Sequence, residues 1–237
     1  MKKIKTLLAG LLLFTAVQAQ QVNDPNAEIR QAKNFHGISV SSAFDVYLSQ
    51  SSSEAVAVSA SETKYRDRIK VEVKDGILYV KYDNEGLKWN SGDKKLKAYI
   101  SFVNIDKLSV SGACDVFITG TLKADELKIN QSGASDLKGK IDAKKLSVDI
   151  SGASDVTLTG TATQLDVEAS GASDFKGFDL VTEICNARAS GASDVKITVN
   201  KELSAQASGA SDVRYKGSGV ITDIKTSGSS SVSKSRS

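Results

Sequence analysis

The chain has 237 residues, 40% of them hydrophobic, 25% charged and 6% aromatic. That is enough apolar material for a packed core and argues against wholesale disorder, while a single proline and 18 glycines exclude collagen-like and proline-rich classes. The formal charge is +3, but Lys2, Lys3 and Lys5 lie in an expected leader and without them the net charge vanishes, so no basic excess points to nucleic acid or an anionic membrane. One histidine and two cysteines exclude most zinc sites and most histidine-based catalysis.

The first residues, Met1-Lys2-Lys3-Ile4-Lys5, precede an apolar run of 11 residues from Leu7 to Val17. Val17-Gln18-Ala19 then offers small side chains at the two positions a signal peptidase reads. At about 1.5 Å per residue the run is too short to cross about 30 Å of hydrocarbon. Residues 1–19 are therefore expected to be a secretory signal peptide. The next residue, Gln20, is not the cysteine of a lipoprotein anchor, and no later stretch is apolar enough to span a membrane. The expected destination is the periplasm, the outer surface or the extracellular space.

Residues 20–33 suggest an irregular lead-in. Beyond them, Ile38–Val40, Ala55–Ser59, Ile69–Val73, Ile77–Tyr82 and Leu96–Phe102 alternate apolar and polar residues as strands do. Glu62–Arg68 suits a short helical turn, and Asp83–Lys95 a polar loop carrying Trp89. Ser41-Ser42-Ala43-Phe44-Asp45-Val46 looks like a worn copy of a pentapeptide that recurs through the second half of the chain.

That pentapeptide is the dominant feature. It reads Ser111-Gly112-Ala113-Cys114-Asp115, then Ser-Gly-Ala-Ser-Asp from Ser132, Ser151, Ser170, Ser190 and Ser208, with a degraded Ser-Gly-Ser-Ser-Ser from Ser227. Successive starts lie 21, 19, 19, 20, 18 and 19 residues apart. A period near 19 implies one unit stacked on its neighbours. Each unit alternates with period two, as in Leu146, Val148, Ile150 before the motif and Val156, Leu158 after it, which argues strands. Gly120, Gly160 and Gly217 suit a second corner, and Gly139 and Gly177 are expected at the same corner in other units. The predicted fold is all-β: a single-domain parallel β-helix, or β-solenoid, with coils of about 19 residues. If the early strands are coils too, roughly nine or ten coils form a rod on the order of 45 Å at about 4.8 Å per coil. Residues 34–226 would form this domain, and 227–237 a Ser-rich tail or weak cap.

If alternation runs through the motif, its Gly and its fourth residue face inward, and its first Ser, its Ala and its Asp face outward. Cys114 then stands in for a buried Ser. Cys185 lies on a strand about four coils away, so no disulfide is expected.

Phe35-x-x-Ile38-x-Val40, Phe44-Asp45-Val46 and the row of Ser-Gly-Ala-Ser-Asp units behind a leader resemble the putative autotransporter adhesin, head GIN domain family of exported bacterial proteins. The resemblance covers about residues 34–226. It implies a β-helix in the envelope or outside the cell and an adhesin-like role, and it supplies no catalytic or binding residues. Self-transport would need a membrane barrel of alternating strands, which the Ser-rich tail does not provide.

The sharpest candidate surface is the outward column Asp115, Asp136, Asp155, Asp174, Asp194 and Asp212. Neighbouring carboxylates about 4.8 Å apart repel by about 1 kcal/mol even in water. Calcium between coils would relieve this. The competing reading is a self-neutralising face, because Lys138, Lys176, Lys196 and Arg214 follow two residues after their own coil's Asp. No cofactor is expected. Stacked carboxylates also suit an acid–nucleophile pair on a glycan, but identical residues on every coil do not make the differentiated pair that catalysis needs. Trp89 and Tyr99 are candidate glycan-stacking aromatics. The sequence thus points to a non-enzymatic exported binding or structural protein of the cell envelope, with a glycan or an envelope or matrix protein as partner and self-association open; the alternative is a carbohydrate-active hydrolase or lyase on the same scaffold.

Overall fold

The computed structural model describes residues 24–86 and 93–235. The expected leader lies outside the described residues, as does Trp89. The chain opens with β1 (Glu28–Arg30), β2 (Gly37–Ser42), β3 (Phe44–Gln50) and β4 (Ala55–Ser59). A four-residue helix, α1 (Thr63–Arg66), leads to β5 (Ile69–Lys74), β6 (Ile77–Tyr82), β7 (Leu96–Phe102) and β8 (Lys107–Gly112). The repeats form β9 (Asp115–Gln131), β10 (Asp136–Ile150), β11 (Asp155–Ala169), β12 (Asp174–Ala189) and β13 (Asp194–Gly209). The chain finishes with β14 (Asp212–Lys216), β15 (Val220–Gly228) and β16 (Ser231–Lys234).

From β9 onward each strand lies parallel and in register on the next, so the motifs stack: Asp136 pairs with Asp115 and Asp155, and Asp174 with Asp155 and Asp194. The result is the parallel β-solenoid the period predicts, with most inward residues meeting a counterpart one coil away and the register shifting near the second corner, as between Thr157 and Gly160. In β10, Leu137, Ile141, Ala143, Leu146, Val148 and Ile150 are all buried, and each continues a column through the stack. Burying such a side chain stabilises the fold by about 1.5–3 kcal/mol.

The stack has about seven turns, fewer than the early strands suggested. The first half is not a plain run of coils. β1 and β4 pair antiparallel, β4 runs antiparallel to β7, and β5 runs antiparallel to β6. These segments finish the N-terminal end, with Ile69, Val56 and Val58 turned into the core. Layer order is also inverted. The β2–β3 layer is clasped between β6–β7 on one side and β8–β9 on the other, so the chain builds the outer layer second and then passes back over the first.

Two glycine expectations are corrected. Gly139 and Gly177 do not mark the Gly160 corner; they pair with Leu158 and Ile197, in an inward column. Space left at Gly177 is taken by the Phe175 ring, which a Cβ there would meet at 2.4 Å. The motif glycines, moreover, do not face the core. Positive φ turns the chain at the corner, and alternation does not survive the turn: Gly152 is exposed while Ser154, two residues on, is fully buried.

What makes glycine obligatory there is the neighbouring coil. Ala153 donates its N–H to the Gly133 carbonyl at 2.8 Å, and the same bond recurs from Ala134, Ala172, Ala192 and Ala210. Each bond presses a carbonyl against the glycine above it, so a Cβ on Gly152 would lie 2.4 Å from the Gly133 oxygen. Ser42 occupies this column at φ 102°. It is tolerated because the β6 partner of its strand matches β2 only as far as Val40, and its hydroxyl accepts the Tyr82 N–H at 3.3 Å.

The fourth motif residue faces inward as expected. Ser135, Ser154, Ser173, Ser193 and Ser211 are completely buried. The Ser193 hydroxyl lies 3.0 Å from the Ala169 carbonyl and 2.9 Å from that of Ser190, and accepts the Ser190 N–H at 3.1 Å; Ser211 repeats the pattern. A buried hydroxyl thus satisfies corner backbone groups within a coil and between coils. Cys114 takes the same place, with Sγ 3.4 Å from the Ser111 carbonyl. Cys114 and Cys185 are both buried and free, and burial raises both thiol pKa values.

Gly152→Ala and Gly120→Ala separate backbone conformation from coil crowding. Both positions have positive φ, but around Gly120 no atom lies within 4 Å of the new Cβ. Urea melts are expected to show about 1–2 kcal/mol lost at Gly120 and about 3 kcal/mol or more at Gly152, where the neighbouring coil must also give way. Equal losses would assign the whole cost to φ. A thiol reagent is expected to label neither cysteine in the native protein and both after unfolding.

Candidate binding face

The strands after the motif build one long face of the solenoid. Its first outward column is the predicted one, Asp115, Asp136, Asp155, Asp174, Asp194 and Asp212, all brought together in series. The structure extends it. Asp45 stacks on Asp115 and is followed by Lys97 beyond it, while Ser231 closes the other end. The resemblance of Ser41–Val46 to the motif already carried Asp45; Lys97, in a strand without the motif, had no such signal.

The second outward column runs two residues further on: Tyr99, Tyr47, Phe117, Lys138, Thr157, Lys176, Lys196 and Arg214. Its cations pair with the acidic column both within a coil and across coils. Lys176 Nζ lies 2.5 Å from Asp155 and 3.6 Å from Asp174; Arg214 lies 2.9 Å from Asp212 and 3.8 Å from Asp194; Lys138 lies 3.7 Å from Asp136. Coil-to-coil bridging goes beyond the pairing with a coil's own Asp that sequence spacing suggests. The side chains remain about one-third to one-half exposed, so each pair contributes little to stability. Among the described residues, no group of three or more His, Cys, Asp or Glu side chains is placed to hold a metal ion.

At the N-terminal end of this face the cations give way to rings. Tyr47 stacks on Tyr99 with centroids 5.2 Å apart, and on Phe117 at 5.5 Å. Rings stacked on one another along the solenoid turn their edges, not their faces, to solvent. The Tyr99 hydroxyl donates to Asp24 at 2.9 Å, and burial together with that bond raises its pKa. Tyr99 is therefore a rung of a ladder and not an open platform for a sugar ring. Tyr47 and Phe117 were missed in the sequence, although each lies two residues after a column aspartate, where later coils carry lysine.

The column is electrostatically uneven. Burial, then the charge of Asp115, raises the pKa of Asp45 against the pull of Lys97. Hydrogen bonding from the Ser231 side chain, then Arg214, lowers that of Asp212. Elsewhere, His36 is an exposed residue paired with Asp106 at 2.9 Å. Gln131 sits in the apolar column of Val110 and Ile150 and spends its amide N–H groups on the carbonyls of Ser135 and Asp155. Open depressions of about 790 and 750 Å³ lie beside Asp45, Tyr82 and Lys97, and beside His36, Asp106 and Lys144.

The fold is a solenoid with antiparallel strands at its N-terminal end and faces of repeated polar residues. The chain belongs to the family described as putative auto-transporter adhesin, head GIN domain, which matches residues 34–219. Its fold is similar to that of a solved adhesin-type protein from Bacteroides fragilis, with a TM-score of 0.82 at 24% identity, covering 88% of this chain and 96% of that one. A second such protein, from Parabacteroides merdae, gives 0.68 at 19% identity over 89% and 95% of the two chains. One named as a lipid binding protein, from Parabacteroides distasonis, gives 0.65 at 20% over 90% and 98%. No functionally curated protein matches the chain. Among the described residues no helix is long and apolar enough to cross a membrane.

Replacing Asp45 and Asp212 by Asn should act in opposite directions. A raised folded pKa means ionisation of Asp45 weakens the fold as pH rises above the unfolded value of about 3.9. Asp45→Asn is therefore expected to stabilise at pH 7, with the gain disappearing in acid. A lowered folded pKa makes ionised Asp212 stabilising above about pH 3.9, with that contribution lost as pH falls through its folded pKa. Asp212→Asn should destabilise at pH 7 and not in acid. Both effects should stay under about 1 kcal/mol for charges that keep part of their contact with water, read from melts between acid and neutral pH.

Proposed function

We propose that the protein is an exported, non-enzymatic, adhesin-like binding protein of the bacterial cell envelope, acting in the periplasm, on the outer surface or outside the cell. Its ligand is a polymer, either a glycan or an envelope or matrix protein. Family membership supports the adhesin-like role, and the leader expected at residues 1–19 supports export. One observation carries the binding assignment: the in-register face on which Asp155, Asp174, Asp194 and Asp212 stand beside Lys176, Lys196 and Arg214. A pattern of opposite charges recurring along coils about 4.8 Å apart, interrupted at Thr157, matches a ligand that repeats as well. Along the column each middle aspartate is stacked between two others, so no pair is set apart as acid and nucleophile. Lys138, Lys176 and Arg214 offset part of the column's charge, so the reading does not call on calcium.

The test is an array of glycans and matrix proteins probed with the chain lacking residues 1–19. Retention by one polymer class is expected. Reversing the cations together (Lys176→Glu, Lys196→Glu, Arg214→Glu) should weaken it by about tenfold or more, and added salt should weaken it too. No retained polymer would overturn the assignment, and cleavage of an arrayed glycan would establish the carbohydrate-active alternative.

A further inference from the structure

The two ends of the stack are finished differently. At the N-terminal end β1, β4 and β5 turn antiparallel to their neighbours. At the other end lie β15 and β16, and among the described residues β15 pairs only with β13 and β16 only with β14. Positions that are core in earlier coils come to the surface here. Ile221 and Ile224 continue the columns of Leu203 and Ala205, which are 0% exposed, yet they are 42% and 41% exposed themselves. An edge strand with open backbone groups and apolar side chains is a template for another strand.

The sequence of that edge suits a second copy, whose charges would exchange with the Asp223–Lys225 pair made within the strand at 3.0 Å. Thr222-Asp223-Ile224-Lys225-Thr226 presents matching chemistry when traversed in either direction about Ile224. Pairing with β13 sets Asp223 opposite Ser204 and Lys225 opposite Gln206, on the outward side, with Ile224 opposite buried Ala205. Laid antiparallel on a second copy across a two-fold axis at Ile224, the segment places Asp223 against Lys225 twice, Thr222 against Thr226 twice, and Ile224 against its own copy. Opposite charges directly across an antiparallel pair are favourable, and like charges are not.

We propose that the C-terminal end is a homodimer seam, in which β15 of two copies pairs antiparallel about Ile224 and the exposed Ile224 side chains cover one another. Such an isologous contact uses the same patch on both partners and closes at two copies. The adhesive faces of the two solenoids would then run away from a shared centre.

Charge reversal tests this without depending on the loss of a fold. Asp223→Lys leaves only cations facing across the seam in its own homodimer, and Lys225→Glu leaves only anions. Mixed together, the two variants restore both opposite-charge pairs. Sedimentation of the purified wild-type protein over a concentration series is expected to show a monomer–dimer equilibrium. Each variant alone should dimerise about tenfold or more weakly, and an equimolar mixture should recover the dimer. A wild-type protein still monomeric at about 1 mM would overturn the proposal and leave this end to a different partner. So would a dimer that both reversals leave intact, or a mixture no more associated than its parts.

Discussion

The structure depends on one backbone contact: the N–H after each motif glycine donating to the carbonyl of the glycine one coil earlier. It draws neighbouring corners so close that a Cβ would collide with backbone. With the corners locked, the strands on either side have no freedom to slip. A one-residue slip would turn every core residue to solvent, so the glycine column and the apolar columns enforce the same register. The Asp and Lys columns are a consequence. Their regular spacing is inherited from the corner and is not set by attraction between the charges, which are too exposed to impose it.

The buried serine two residues after each glycine completes the corner. A hydroxyl in the core is costly without a partner, yet here it meets backbone groups that the turn would otherwise strand. Cys114 shows how much of this can be relaxed. Its thiol is a weak donor to the Ser111 carbonyl and otherwise behaves as a small apolar group, and one coil away the same motif place holds the buried Phe44. The corner is thus most polar where the repeats are most alike and becomes apolar toward the N-terminal layers.

Much of this was legible in the sequence because the repeat carries both period and parity. Residues 111–226 place most of their strands, their buried serines and their aspartate column by spacing alone, whereas β16 lies in what the sequence offers as a Ser-rich tail or weak cap. The sense of the motif glycine was lost because period-two alternation does not pass through a residue of positive φ, and Gly139 and Gly177 were misplaced because a glycine in an inward column looks the same as one at a corner. The aromatic ladder was hidden for another reason. Tyr99, Tyr47 and Phe117 are neighbours only because β7, β3 and β9 stack out of chain order. No local pattern encodes which of two worn strands lies above the other; that is decided by packing between residues about 50 and 70 positions apart.

The inverted order of those layers bears on how the molecule is assembled. Repeats from β9 to β13 need only neighbours about 19 residues away, so they can zip from any point along their length. The β2–β3 layer cannot be completed this way, because one of its two partners lies beyond β7 in the chain and both are distant. A chain emerging N-terminus first has its earliest strands waiting on later ones, and such long-range closures form slowly. The segment synthesised first would stay extended longest.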